Sequence, residues 1–446
     1  MIKTRNRHIF KKVPAIGTSQ LMRKLSKIES RSMHGQMPIA WKRAENFNIY
    51  DLSNNKFIDF TSTIFVTNIG HANKRMIKYL KKGLDQKLLH SYAYIHQIRE
   101  KYLKNLISFS GKGFQKAFLM SAGTEATEAA LKLMRLNGQK LKKRKLGIIC
   151  FEGNWHGRTM GAQLMSGNEK QKKWIGHKDK NIFHLPFPYP WNVSENEAEN
   201  FLKNSLQKLS RKVNLKKDIC GVMIETFQGW GSVYYPKKYI KLLEKVCKKN
   251  NILIAFDEMQ AGFGRTGYNF GFQYYGIKPD LICCGKGMGG GVPLSGVIGK
   301  KKVLDLPEVG NMSSTNSANP LVCYAGLAVL DEINKKKLVE KTKAKGQILT
   351  NYLQKIKNNN PNTILSIQGK GLIAAIIFKK SNRYKVEKLL KKVVFNSMKE
   401  GLLVVYTGMN SIKIGPPLSI TKSALIEGLQ VLDHNISKVF SNYDQD

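Results

Sequence analysis

Six short apolar runs in the middle of the chain constrain its fold more than any other feature. They are Ala117–Met120, Gly147–Phe151, Cys220–Glu225, Ile252–Asp257, Leu281–Cys284 and Leu294–Ile298. None alternates apolar with polar residues, and helical patterns separate several of them, at Thr124–Leu136, Ala198–Leu209 and Lys237–Asn250. Strands that are apolar on both sides belong to a sheet buried on both faces. Alternating with helices, they predict an α/β fold: a large domain whose mostly parallel sheet is covered by helices on both faces. Around this block the rhythm differs. Asn48–Phe60 alternates about Ser53-Asn54-Asn55 and reads as a hairpin. Helical patterns lie near Lys74–Lys82, at Ile98–Phe109 and from Pro320 to Ile356. From Thr363 the order is strand, strand, helix (Val386–Glu400), strand (Leu402–Tyr406), strand (Ser411–Ile414), helix (Lys422–Phe440), a smaller α+β unit.

Charge alone decides little. The formal net charge is +43 over 446 residues, which suits nucleic-acid binding on its face. The lysines are spread through nearly every segment as KK and KxK on helices, with no zinc-finger spacing and no aromatic RNA-binding strand. We read them as solvated faces, whose field still attracts anionic ligands. No apolar run approaches the ~20 residues of a membrane-spanning helix. The basic start, MIKTRNRHIFKK, is followed by no apolar stretch, and reads as a leader-free start rather than a secretory signal or a transit peptide. The six cysteines form no CxxC pair and mostly sit in apolar runs. They suit buried thiols in a reducing cytoplasm, and no metal site is expected.

In an open parallel sheet, ligands bind beyond the carboxyl ends of the strands. The residues just past each strand are therefore the informative ones. Ala117–Met120 runs into Ser121-Ala122-Gly123-Thr124 and a helix: a phosphate cradle, or by itself an ordinary N-cap. Gly147–Phe151 leads to Gly153-Asn154-Trp155-His156-Gly157-Arg158, where Trp155 either stacks on a flat ligand or fills core. Ile252–Phe256 ends in Asp257, a carboxylate in need of a cation: a protonated heterocyclic nitrogen, a helix cap or an ion pair with Arg265. Leu281–Cys284 leads to Lys286, whose amine burial would lower in pKa for attack on a carbonyl, unless the chain reaches water. Phosphate cradle, stacking ring, carboxylate and amine together are the four functions that pyridoxal phosphate requires.

The stretch AFDEMQAGFGRTG, followed by GIKPDLICCGKGMGGGVPLSGVIG, resembles the class III (ω-type) aminotransferases, pyridoxal-phosphate enzymes of fold type I. SAGTEATEAALKLMR, WHGRTMGA, ETFQGWG and STNSANPL are similar to further motifs of that family. The resemblance implies that Lys286 forms the Schiff base and that Asp257 pairs with the ring nitrogen. Gly123 and Thr124 would bind the phosphate, Trp155 would stack on the ring, Gln260 would contact its hydroxyl and Glu225 would support the pocket. Thr315 would reach the phosphate in a neighbouring subunit, so a homodimer with shared active sites is implied. Arg158 and Tyr94 would lie toward the substrate. The implied layout is an N-terminal segment over 1–65 that joins the small domain, a large cofactor-binding domain over 66–325, and a C-terminal small domain over 326–446.

Two positions depart from the glutamate-using relatives. Trp230 stands where an acid follows the QG of that motif, and Lys413 stands where an arginine precedes PPL. Both halves of one ion pair have changed. A lysine draws a carboxylate as a point charge, without the bidentate fork; alternatively Lys413 faces solvent. The expected reaction is ping-pong transfer of an amino group from a primary amine or ω-amino acid to a 2-oxo acid, 2-oxoglutarate or pyruvate. A racemase, aminomutase or decarboxylase of the same fold is the alternative, and a basic nucleic-acid binder the remote one.

Overall fold

In the computed structural model, which describes residues 1–35, 37–381 and 386–441, the chain divides into two compact units. The larger comprises residues 75–229 and 233–339; the smaller comprises 1–74, 230–232 and 340–446.

The larger unit is built on seven strands: β1 (Lys116–Met120), β2 (Gly147–Phe151), β3 (Ile182–Leu185), β4 (Ile219–Glu225), β5 (Leu253–Asp257), β6 (Leu281–Cys284) and β7 (Ser295–Gly299). Their order across the sheet is β1-β7-β6-β5-β4-β2-β3. β3, β2, β4, β5 and β6 pair in parallel, while β7 runs antiparallel to both β6 and β1. All six expected strands are present. β3 went unread, because Ile-Phe-His-Leu at a sheet edge carries a polar residue and looks like a loop.

Five helices bear on the site and its supports: α1 (Gln97–Ser110), α2 (Gly123–Leu141), α3 (Ala198–Ser210), α4 (Lys237–Asn250) and α5 (Pro320–Lys335). α2 buries Ala126, Ala130, Leu133 and Met134 against the sheet. Gly221 on β4 is what lets it settle there: a Cβ at that position would lie 2.2 Å from Met134 Sδ. Leu133 is fully buried, and truncating it to alanine should cost about 2–5 kcal/mol. α4 ends at Asn251, in the left-handed conformation, which returns the chain directly into β5.

In the smaller unit, Asn48–Asp51 and Lys56–Asp59 form the expected hairpin, with Ile49 opposite Phe57. The apolar run Leu402–Tyr406 is not one strand. Leu402–Leu403 pairs in parallel with Lys56–Asp59, whereas Val405–Tyr406 joins the sheet Ile364–Lys370, Ile373–Phe378, Ser411–Ile414. The break at Val404 lets one stretch supply an edge to each of two sheets. Thr18–Ile28 is a helix that the polar N-terminal composition concealed.

Candidate active site

Parallel register aligns the strand ends. Glu225 closes β4 beside Asp257, which closes β5, and Asp257 stands beside Cys283 of β6. Both carboxylates are buried. Asp257 is fixed at both oxygens: Oδ2 accepts from His156 Nδ1 at 2.9 Å, and Oδ1 accepts from the Met259 amide at 3.1 Å. The basic side chain hydrogen-bonded to Asp257 is thus His156. Glu225 Oε2 accepts the amide N–H of Trp155 at 3.0 Å.

Just past β6, the chain turns at Gly285 into a short 3-10 turn, Lys286–Met288. Lys286 has φ 42, in the left-handed region that non-glycine residues occupy rarely. Such strain persists only where the surroundings impose it, and it gathers at functional sites. Although the side chain keeps some exposed surface, its surroundings are dense. Desolvation lowers the amine's pKa, and the carboxylates of Asp257 and Glu225 pull it part of the way back.

Met259 joins the remaining pieces. A Cβ on Gly123 would lie 2.8 Å from its sulfur, and so would a Cβ on Gly285. The same Cβ on Gly285 would lie 3.5 Å from Gly123 Cα. The N-terminus of α2 and the turn carrying Lys286 are therefore in contact, with Met259 filling the angle between them. At that N-terminus Glu125 Oε2 accepts the amides of Ser121 (2.9 Å) and Ala122 (2.6 Å). The amides of Gly123 and Thr124, one step further on, have no partner inside the helix. The Thr124 hydroxyl is engaged: Thr159 Oγ1, 2.6 Å away, already donates to Glu128, so Thr124 donates to Thr159. Gly157, at φ 139, makes that approach possible; a Cβ there would lie 2.3 Å from Thr124 Oγ1.

Gln260 and Glu225 converge on Gly229, where a Cβ would come within 2.3 Å and 2.7 Å of their side chains. Trp155 is half-buried and carries the exposed Arg158 guanidinium over its ring, 4.8 Å from the centroid. Thr315 and Tyr94 lie on exposed segments of the same unit. Trp230 and Lys413 belong to the smaller unit. The Trp230 carbonyl accepts from Thr407 Oγ1 at 2.6 Å. Lys413 does not face solvent: it is fully buried on the strand Ser411–Ile414, with Nζ 4.6 Å from the centre of the Phe65 ring. Sequence reasoning missed His156 and Met259. The signal for both was adjacency, one beside Trp155 and the other between Asp257 and Gln260.

The family profile described as Aminotransferase class-III matches residues 30–436. The chain is a class III aminotransferase. Its cofactor is pyridoxal 5'-phosphate, and it moves an amino group from an amine or ω-amino acid to a 2-oxo acid. The mitochondrial acetylornithine aminotransferase of Candida glabrata is 32% identical over 409 residues, covering 90% of each chain. The acetylornithine aminotransferase of Caldanaerobacter subterraneus is 29% identical over 409 residues, covering 91% of this chain and 96% of its own. Among solved structures, a Bacillus anthracis aminotransferase superimposes with a TM-score of 0.86 at 23% identity, over 96% of this aminotransferase and 100% of that chain. The Toxoplasma gondii ornithine aminotransferase gives 0.84 at 21%, over 96% of each. Both share the fold.

Proposed function

We propose that Lys286, Asp257 and the N-terminus of α2 hold the cofactor, and that the donor is a diamino acid acylated on its α-nitrogen and free at its ω-amine, of the kind its relatives are named for. The observation that carries this reading is the packing around Met259, which puts the amine-bearing turn against the helix N-terminus. The residues fit the group: glycines stand at 123 and 285, where any Cβ would collide, and a carboxylate is pinned on both oxygens nearby.

When bound, pyridoxal phosphate supplies an aldehyde that takes up amines and a ring that accepts the electron pair left by a departing proton. Gly123 and Thr124 offer its phosphate backbone amides and the positive end of the α2 dipole. Trp155 would cover a face of the ring, and Gln260 would reach its hydroxyl. Glu225 supports the pocket by fixing the Trp155 amide. Asp257, oriented by His156 and the Met259 amide, would pair with the ring nitrogen and keep it protonated. Lys286 Nζ, desolvated and so readily neutral, takes the proton from the substrate's amine-bearing carbon and later returns it.

Arg158 and Tyr94 are assigned to the donor's distal end, Trp230 and Lys413 to its carboxylate side. Losing the acid–arginine pair loosens the grip on a 2-oxo dicarboxylate, so pyruvate ranks beside 2-oxoglutarate as acceptor. The reading extends to a homodimer in which Thr315 serves the second subunit's phosphate. The exposed apolar side chains of Leu89, Tyr92, Tyr94, Ile95 and Val309 support it. A cytoplasmic location is supported by six buried free thiols. Among the described residues no helix is long and apolar enough to cross a membrane.

The test is a substrate panel. Protein loaded with pyridoxal phosphate is given N-acetylornithine, ornithine, 4-aminobutyrate or putrescine, with 2-oxoglutarate or pyruvate. N-acetylornithine should turn over fastest, giving an aldehyde product and an aminated acceptor. Faster turnover of an unacylated donor would overturn the donor assignment.

A further inference from the structure

Thr315 sits on a short loop whose two carbonyl contacts come from far away in sequence. His90 Nε2 donates to the Thr315 carbonyl at 2.9 Å, and His96 Nε2 donates to the Ala318 carbonyl at 3.0 Å. The His96 ring is committed on both sides. Its Nδ1 accepts the Arg99 amide at 3.2 Å and so caps the N-terminus of α1, which fixes the tautomer with the proton on Nε2. The Arg99 guanidinium in turn donates to the carbonyls of Tyr92 (3.3 Å) and Tyr94 (3.0 Å), holding the segment between the two histidines.

The loop itself is under constraint. Ala318 has φ 52, a left-handed position that alanine occupies only when its surroundings hold it there. Asn319 ties the far end, donating to the Asn316 carbonyl at 2.9 Å while its Oδ1 caps α5 at the Val322 amide, 3.0 Å. On the near side Ser314 Oγ reaches Glu125 Oε1 at 3.4 Å, and the other oxygen of Glu125 holds the Ser121 and Ala122 amides.

We infer that His90 and His96 are positioning residues, a two-point clamp that fixes the Thr315 loop and thereby sets how tightly the enzyme retains its cofactor's phosphate. This rests on the proposed assignment of Thr315 to the phosphate. The residues do no chemistry; each supplies one N–H to a carbonyl that would otherwise swing.

The experiment uses the full-length holoenzyme and three variants, His90→Ala, His96→Ala and Thr315→Val. It reads two quantities: amide hydrogen exchange over residues 313–318, and the dissociation constant for pyridoxal phosphate. Each alanine variant should speed exchange in that loop and weaken the cofactor about two- to tenfold, the effect of one neutral hydrogen bond. His90→Gln and His96→Gln, which restore an N–H donor, should recover most of both. Unchanged exchange in the alanine variants would overturn the clamp, as would glutamine variants no better than alanine. If Thr315→Val binds the cofactor as the parent does, the phosphate assignment fails on its own, and the clamp's link to cofactor retention falls with it. If Thr315→Val weakens binding while the alanine variants bind normally, the clamp fails and the assignment stands.

Discussion

His156 Nδ1 lies 2.9 Å from Asp257 Oδ2, with both side chains buried, so the carboxylate at the end of β5 is oriented by an imidazole from the loop after β2. The imidazole is itself positioned through its backbone: its amide donates to Ser166 Oγ at 2.9 Å and its carbonyl accepts from Thr127 Oγ1 at 2.8 Å. Replacing it with phenylalanine leaves Asp257 one partner. Turnover should then fall about 10–100-fold, the usual effect of removing the group that orients a working residue. His156→Asn, which keeps an N–H near the Nδ1 position, should recover much of the loss. Equal losses in both, with the fold intact by circular dichroism, would contradict the orienting role.

Asp257→Ala should be worse than His156→Phe, by at least about 100-fold in kcat, because it removes the charge itself. Cofactor content measured by absorbance separates the two ways this can arise. Retained cofactor with lost turnover is the expected result.

Lys286 predicts a stability effect opposite in sign to its effect on function. Its folded-state pKa lies below the ordinary 10.5, so the unfolded chain binds more protons in the interval between the two values. Stability therefore rises with pH through that interval, and at neutral pH the buried charge is a burden. Lys286→Met should unfold at a higher temperature than the parent when both are cofactor-free. Borohydride treatment of the loaded proteins should leave the vitamin attached to the peptide containing residue 286 in the parent alone.

Legibility in the sequence followed the strands. Asp257 and Lys286 were singled out because each terminates, or closely follows, an unbroken apolar run, whereas Glu225 came only through the family resemblance; parallel pairing sets Glu225 beside Asp257 and Asp257 beside Cys283. His156 and Met259 lie in loops, where residue order says nothing about direction; only the turn geometry aims His156 at Asp257 and seats Met259 between two glycines. Lys413 shows the same gap. Its sequence neighbours gave no reason to choose burial over exposure, and the strand pairing with Ala375 and Val405 decides it. The division of Leu402–Tyr406 between two sheets was invisible because an apolar run does not name its partner strand.

His184 sets an acid limit. Burial pushes its pKa down to about 4, with Lys172 adding to the effect, while Nε2 donates to the carbonyls of Met165 (3.1 Å) and Ser166 (3.0 Å). A depressed histidine favours the fold above the unfolded value of 6.5 and loses that contribution as pH falls toward 4. The loss amounts to roughly 2–3 kcal/mol. Denaturant titrations at about pH 7, 5.5 and 4.5 should show it, and His184→Gln should flatten the decline.

Lys413→Met tests the buried lysine of the smaller unit. KM for donors carrying an α-carboxylate should rise about tenfold or more, while a plain diamine such as putrescine is unaffected. An equal change for both classes would assign Lys413 to the Phe65 contact alone.

The reversed strand β7 has a consequence for biosynthesis. β1 borders the sheet only through β7, whose last residue is Gly299. The helix start after β1 thus waits, during translation, for a segment made almost 180 residues later. About two thirds of the polypeptide must leave the ribosome before the vitamin B6 pocket closes, so capture of the vitamin follows completion of the seven-stranded sheet and cannot chaperone its beginning.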